Sequence, residues 1–214
     1  MSNELGRTLF VLAVVVFLGW FAVGTHLNVR KGHRLLRWLQ DGMPLLGAKT
    51  TLRWLGSSAI ELKVTNALAP LRSVDVFVVL EPRDLPFLWW LFHVRGRRDL
   101  LIVRTQLSAT PPFDLEALDL RAWSTRGIER AMRRNQWTPV AVPPGSPLVA
   151  YSRGGSAPAA EVLPIATLPE LSLVRVAVHD SAPHLEVQWT LAGLDRLESR
   201  RVLETVHRLA QRLL

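Results

Sequence analysis

Hydrophobic positions follow two different rhythms along this chain. From Thr8 to Val29, twenty-two consecutive positions carry no Asp, Glu, Lys or Arg, and Arg30, Lys31, Arg34 and Arg37 follow at once. As a helix that run measures about 33 Å, against about 30 Å of bilayer hydrocarbon. It predicts a transmembrane helix over 8–29, preceded by a short N-terminal segment, 1–7. Leu35, Leu36, Trp38 and Leu39 then recur at helical spacing, with Arg34 and Arg37 on the other side. This predicts a basic juxtamembrane helix over 30–43, either separate or a continuation of the transmembrane helix, stopped by Gly42 and Pro44.

Beyond Pro44 the period shortens to two. Thr50 to Trp54 and Ala59 to Val64 flank Gly56-Ser57-Ser58 and read as a hairpin. Ser73 to Glu81 places Val74, Val76, Val78 and Leu80 on one face. Asp99 to Leu107 does the same with Leu101, Val103 and Thr105, and Leu115 to Arg121 is a weaker strand. Ser124 is placed to cap a short basic helix running from Thr125 to Arg134. Residues 138–169 are broken by Pro143-Pro144-Gly145 and Gly154-Gly155 and predict a long surface loop holding one short strand, Leu148 to Ser152. Leu171 to His179 and His184 to Leu191 form a second hairpin. A last helix is expected from about Asp195, where Asp195 and Glu198 resemble a capping box, with Leu197, Val202, Val206, Leu209 and Leu213 as its apolar stripe. Clustered strands with helices at the ends predict an α+β fold: one transmembrane helix, then a single domain over 44–214 with a mainly antiparallel sheet backed by the C-terminal helix.

Charge separates a membrane anchor from its main alternative. A cleaved signal peptide carries its positive charge before the apolar core, whereas the basic cluster here comes after it, so the reading is a retained anchor. Arg and Lys flanking a span stay on the cytoplasmic side, which puts the N-terminus outside and the domain in the cytoplasm of a single-pass cell-membrane protein. Gly19 and Gly24 are not four residues apart, so no helix dimer through the span is expected. The formal net charge is +8. Residues 30–153 hold 19 basic and 10 acidic side chains, and residues 154–214 hold 6 and 7, so the positive potential belongs to the half nearer the anchor. Anionic headgroups suit that placement. Nucleic acid is disfavoured, because no DNA- or RNA-binding motif accompanies the charge.

Candidate chemistry is sparse. The chain has no cysteine, which excludes disulfides, thiolate metal sites and cysteine nucleophiles. Leu85 to Phe92 is the most unusual segment of the domain: Phe87, Trp89, Trp90 and Phe92 are followed by Arg95, Arg97 and Arg98. It is too short to span a bilayer, and it reads as a buried element, as an interfacial one with indoles at headgroup depth and arginines on phosphate, or as a docking surface for another membrane protein. His179, Asp180 and His184 flank the second hairpin turn and are weak catalytic candidates, without an established motif spacing. No cofactor and no metal are expected. The expectation is a membrane-anchored, non-catalytic accessory, assembly or scaffold subunit acting by contact with lipid and another membrane protein. The alternative is a membrane-surface enzyme acting on a lipid or membrane-delivered substrate, with the Trp/Arg segment as its entry rim and the two histidines and Asp180 as its polar groups.

Overall fold

Alternating side chains line one large sheet, because period-two patterning turns successive residues of a strand to opposite faces. The computed structural model describes residues 2–125, 127–167, 170, 172–193 and 197–214. Nine strands are ordered β1 (Gly47–Trp54), β2 (Ala59–Ala67), β3 (Leu71–Val79), β4 (Leu100–Leu107), β9 (Leu185–Thr190), β8 (Leu173–Val178), β5 (Asp114–Asp119), β7 (Leu148–Arg153) and β6 (Thr138–Val140). All neighbours are antiparallel. The register aligns one uninterrupted apolar row across the sheet, Leu62–Val76–Val103–Val187–Val176–Ala117–Ala150–Val140. Every member of that row is buried.

Helices cover that apolar face. α1 (Ser2–Gln40) is continuous, so the juxtamembrane segment extends the first helix rather than forming a separate one. Its C-terminal half contributes Leu35 and Leu39 to the core. α5 (Ser199–Arg212) adds Val202, Leu203, Val206 and Leu209, all buried. The expected stripe is thus the buried one, with Leu197 and Leu213 also inside. Asp195 lies outside the described residues, and Glu198 occupies the N-cap position without a side-chain cap bond.

Two expectations are corrected. Residues 138–169 are not one long loop: besides β7 they hold β6 and α4 (Ser156–Ala166). Ala159, Val162, Leu163 and Ala166 are buried at helical spacing, and that burial outweighs the interior Pro164. Ser124 does not cap the basic helix, because Thr125 is pulled inward by its hydroxyl, which donates to the Asp119 carbonyl at 2.6 Å. The helix α3 (Ile128–Arg134) starts later, after Gly127 at φ 97°. The remaining helix, α2 (Pro86–Val94), fills the β3–β4 connection.

Candidate functional site

The stripe of α1 that meets the domain is Gly24, Asn28, Gly32, Leu35 and Leu39, buried at intervals of three or four. Two glycines set the approach distance. A Cβ on Gly24 would stand 2.2 Å from the Arg83 carbonyl oxygen, and one on Gly32 would meet the Trp54 ring at 2.6 Å. Backbone therefore lies directly against the turn that follows β3.

A polar latch closes this contact. Asn28 is fully buried; its Nδ2 donates to the Glu81 carbonyl at 3.0 Å and its Oδ1 accepts from Arg83 at 3.1 Å. Asp99, just before β4, accepts from Arg83 Nη1 at 3.1 Å and Nη2 at 2.9 Å, from Lys31 Nζ at 2.6 Å and from the Glu81 N–H at 2.6 Å. Burial pushes the Asp99 carboxyl up, but the bonds from Arg83, Lys31 and the Glu81 amide, with the Arg83 charge, more than reverse this and hold it below the usual carboxylate range. The Trp20 indole donates to the Arg83 carbonyl at 2.9 Å.

The same hub positions α2. Glu81 is buried, and its carboxylate accepts from Trp89 Nε1 at 2.8 Å and lies 2.9 Å from His93 Nδ1. Trp89 also packs on Trp20, with ring centroids 6.3 Å apart. Phe92 turns against Trp123 at 5.7 Å, and the Arg97 guanidinium lies 5.1 Å from the Phe92 ring centre. With those side chains turned inward, the outer face of α2 is Phe87, Trp90 and Val94, respectively 70, 58 and 67% exposed. An outward face that apolar is the reverse of an ordinary surface helix. It stands beside the exposed apolar length of α1, the one helix among the described residues long and apolar enough to cross a membrane.

The seven aromatic and basic residues picked from sequence thus divide. Phe87 and Trp90 face out, whereas Trp89, Phe92 and Arg97 are used in packing. Arg98 donates to the carbonyls of His93 and Arg97 at 2.8 and 2.7 Å, closing the helix end. Arg95 is exposed, and its N–H closes the last turn onto the Leu91 carbonyl. Of the four juxtamembrane cations, Lys31 belongs to the latch, and Arg30, Arg34 and Arg37 are exposed. Sequence reading missed Asn28, Glu81, Arg83 and Asp99. One signal was available: Asn28 is the lone carboxamide in the apolar run.

The catalytic candidates do not converge. His184 is buried, with Nδ1 accepting from the Leu107 N–H of β4 at 3.0 Å. His179 turns toward β5, where its Nε2 is 3.2 Å from the Glu116 carboxylate and its Nδ1 is 3.6 Å from Asp114. β4 and β5 lie on opposite sides of the β8–β9 pair, so the two imidazoles point apart. Asp180 is exposed and uses its backbone N–H on Asp114. Among the described residues, no three His, Asp or Glu side chains are arranged to hold a metal ion.

His179 instead links Glu116 to Asp114 within a charge ladder across the other sheet face. Arg104 donates to Glu186 at 2.5 Å, Arg175 bridges Glu186 and Glu116 at 2.8 and 2.5 Å, and Arg153 pairs with Asp114 at 2.6 Å. Burial pushes the Glu116 carboxyl up, and His179 and Arg175 more than offset that, so it lies below its ordinary value. The bond to Glu116 raises the His179 imidazole above its ordinary value, against the opposing effect of burial. Alternating signs at neighbouring positions describe a self-neutralised surface, with each charge satisfied by the next. No protein-family model matches this chain, and no curated protein is similar to it.

Proposed function

We propose that this chain is a membrane-anchored, non-catalytic contact protein: an accessory, assembly or scaffold subunit whose domain is held against the cytoplasmic face of a membrane. The observation that carries the reading is the outer face of α2. Phe87, Trp90 and Val94 are exposed beside an exposed apolar helix, while the polar partners of α2 are turned inward onto Glu81. An exposed apolar face continuous with a membrane anchor rests in lipid or on another membrane protein.

The cytoplasmic orientation is supported by Arg30, Lys31, Arg34 and Arg37 after the apolar run, against Arg7 alone before it. Contact rather than chemistry is supported by His179 and His184 facing away from each other, each engaged by a neighbouring strand. The cysteine-free sequence makes the test direct. Single cysteines at Phe87, Val94 and the exposed Ser108, nitroxide-labelled in liposomes, report depth. Labels at 87 and 94 are expected to be shielded from aqueous relaxation agents, and the label at 108 open to them. Equal aqueous access at all three positions refutes interfacial contact. Labelling of the Ser108→Cys variant by an impermeant thiol reagent added outside intact cells refutes the orientation. Mass spectrometry of chains that co-purify after gentle detergent extraction tests the subunit role, which a protein extracted without companions contradicts.

A further inference from the structure

Two grooves meet along α1. The first, about 450 Å³, is lined by Val16, Gly19, Trp20, Val23 and Leu27 of α1, and closed on the domain side by Arg83 and Trp89. Nearly all of its wall is apolar. The second, about 370 Å³, continues from Leu27 and Arg83 into Arg30, Lys31 and Arg34. Positions 16, 20, 23, 27, 30 and 34 follow one another at steps of three or four, so both grooves run along a single face of a single helix. Greasy wall thus gives way to cationic wall within one turn, at Leu27 to Arg30. From Val16 to Leu27 the apolar part is about 16 Å long at the helical rise.

The cations outnumber their partners. Arg83 and Lys31 share the Asp99 carboxylate. Arg30 and Arg34 are exposed and make neither an ion pair nor a side-chain hydrogen bond to any described residue. Four positive groups therefore face one buried acid. We propose that the joined grooves bind one anionic phospholipid, its phosphate among Arg30, Arg34 and the Arg83–Lys31 edge, its acyl chain lying along Leu27, Val23 and Val16. The charge selects this occupant. A second apolar helix would fill the greasy part and leave Arg30 and Arg34 uncompensated, whereas a lipid supplies an apolar chain and an anion joined at one end, in the order in which the walls are laid out. This rests on the membrane-contact reading above and adds to it a defined lipid with a defined seat.

The test uses the full chain, extracted in detergent from vesicles of phosphatidylcholine with phosphatidylglycerol and examined by native mass spectrometry. A one-to-one phosphatidylglycerol adduct is expected, with phosphatidylcholine retained far less. Arg30→Gln with Arg34→Gln is expected to weaken retention about thirtyfold, from about fivefold per surface cation. Leu27→Trp, which narrows the apolar part and leaves every charge in place, is expected to weaken it as well. Inorganic phosphate and glycerophosphoglycerol, the headgroup without chains, are the other arms; displacement of the lipid by either at millimolar concentration overturns a seat that needs the chain. Equal retention of both phospholipids, or no adduct, also overturns it. Should the adduct fail while the labels at 87 and 94 remain shielded, only the lipid seat falls. Should those labels also be open to water, the underlying membrane-contact reading falls with it.

Discussion

Asp99 is where the junction between α1 and the sheet can be broken most cleanly. Asp99→Asn keeps the size of the side chain but removes the charge that Arg83 and Lys31 share, and it turns an N–H₂ toward donors that previously met oxygen. Breaking one partner out of a buried ion pair costs about 3–5 kcal/mol. Asp99 is 7% exposed but Lys31 is 40% exposed, so Lys31 can turn to water and the low end, about 3 kcal/mol, applies. For a domain of this size each kcal/mol moves Tm by about 2–4 °C, giving a fall of about 6–12 °C at pH 7. The acid dependence is specific. The folded Asp99 carboxyl lies below its ordinary value, so its stabilising contribution is complete above the unfolded value of about 3.9 and is lost as pH falls through the folded one. Calorimetry in detergent micelles should therefore show a full gap between wild type and variant at pH 7 that narrows only below about pH 4. An unchanged Tm at pH 7, or a gap that already closes above pH 4, would falsify the latch.

Two further predictions concern the approach of α1 and the ladder. Gly24→Ala places a methyl 2.2 Å from a backbone oxygen that cannot yield, so the Trp20 indole N–H should lose its hydrogen-exchange protection and stability should fall by about 1–3 kcal/mol; Gly19→Ala, with nothing within 4 Å, should leave that protection intact. His179 is held above its ordinary value, so its stabilising effect is complete below about pH 6.5 and lost as pH rises through the folded value. Its imidazole NMR resonances should titrate above 6.5, and Glu116→Gln should lower the midpoint; a midpoint that does not respond to Glu116 contradicts the pairing.

How much of this was readable in the chain depends on the range of the interactions involved. Period-two alternation in Ser73–Glu81 and Asp99–Leu107 is local, and it placed β3 and β4 with their inward faces correct. The last helix showed its stripe for the same reason. The order β4-β9-β8-β5 was out of reach, because it joins segments separated by up to ninety residues through pairings that no local pattern encodes. The helix α4 was hidden by Pro158, Pro164 and the Gly154-Gly155 pair before it, whose local cost is overridden by burial of Ala159, Val162 and Leu163. Asp99 and Arg83 read as ordinary charges at a strand end and a turn, and only their meeting with Asn28, more than fifty residues earlier in the chain, makes them a latch. For the aromatic segment the composition was informative but the helix phase was not, which is why Trp89 and Trp90 had the same weight until α2 turned one inward and the other out.

The unbroken course of α1 has a mechanical result. With 39 residues in one rod, and its last four turns clamped to the sheet by Asn28, Gly32 and the Asp99 hub, nothing flexible separates its exposed apolar length from the folded sheet. The rod is about 58 Å long, so leaning it by about 10° sweeps its far end through about 10 Å. On the proposed membrane reading, a change in bilayer thickness would therefore be felt as a swing of the whole sheet, and the charge ladder on its outer surface would rise or dip as one plate.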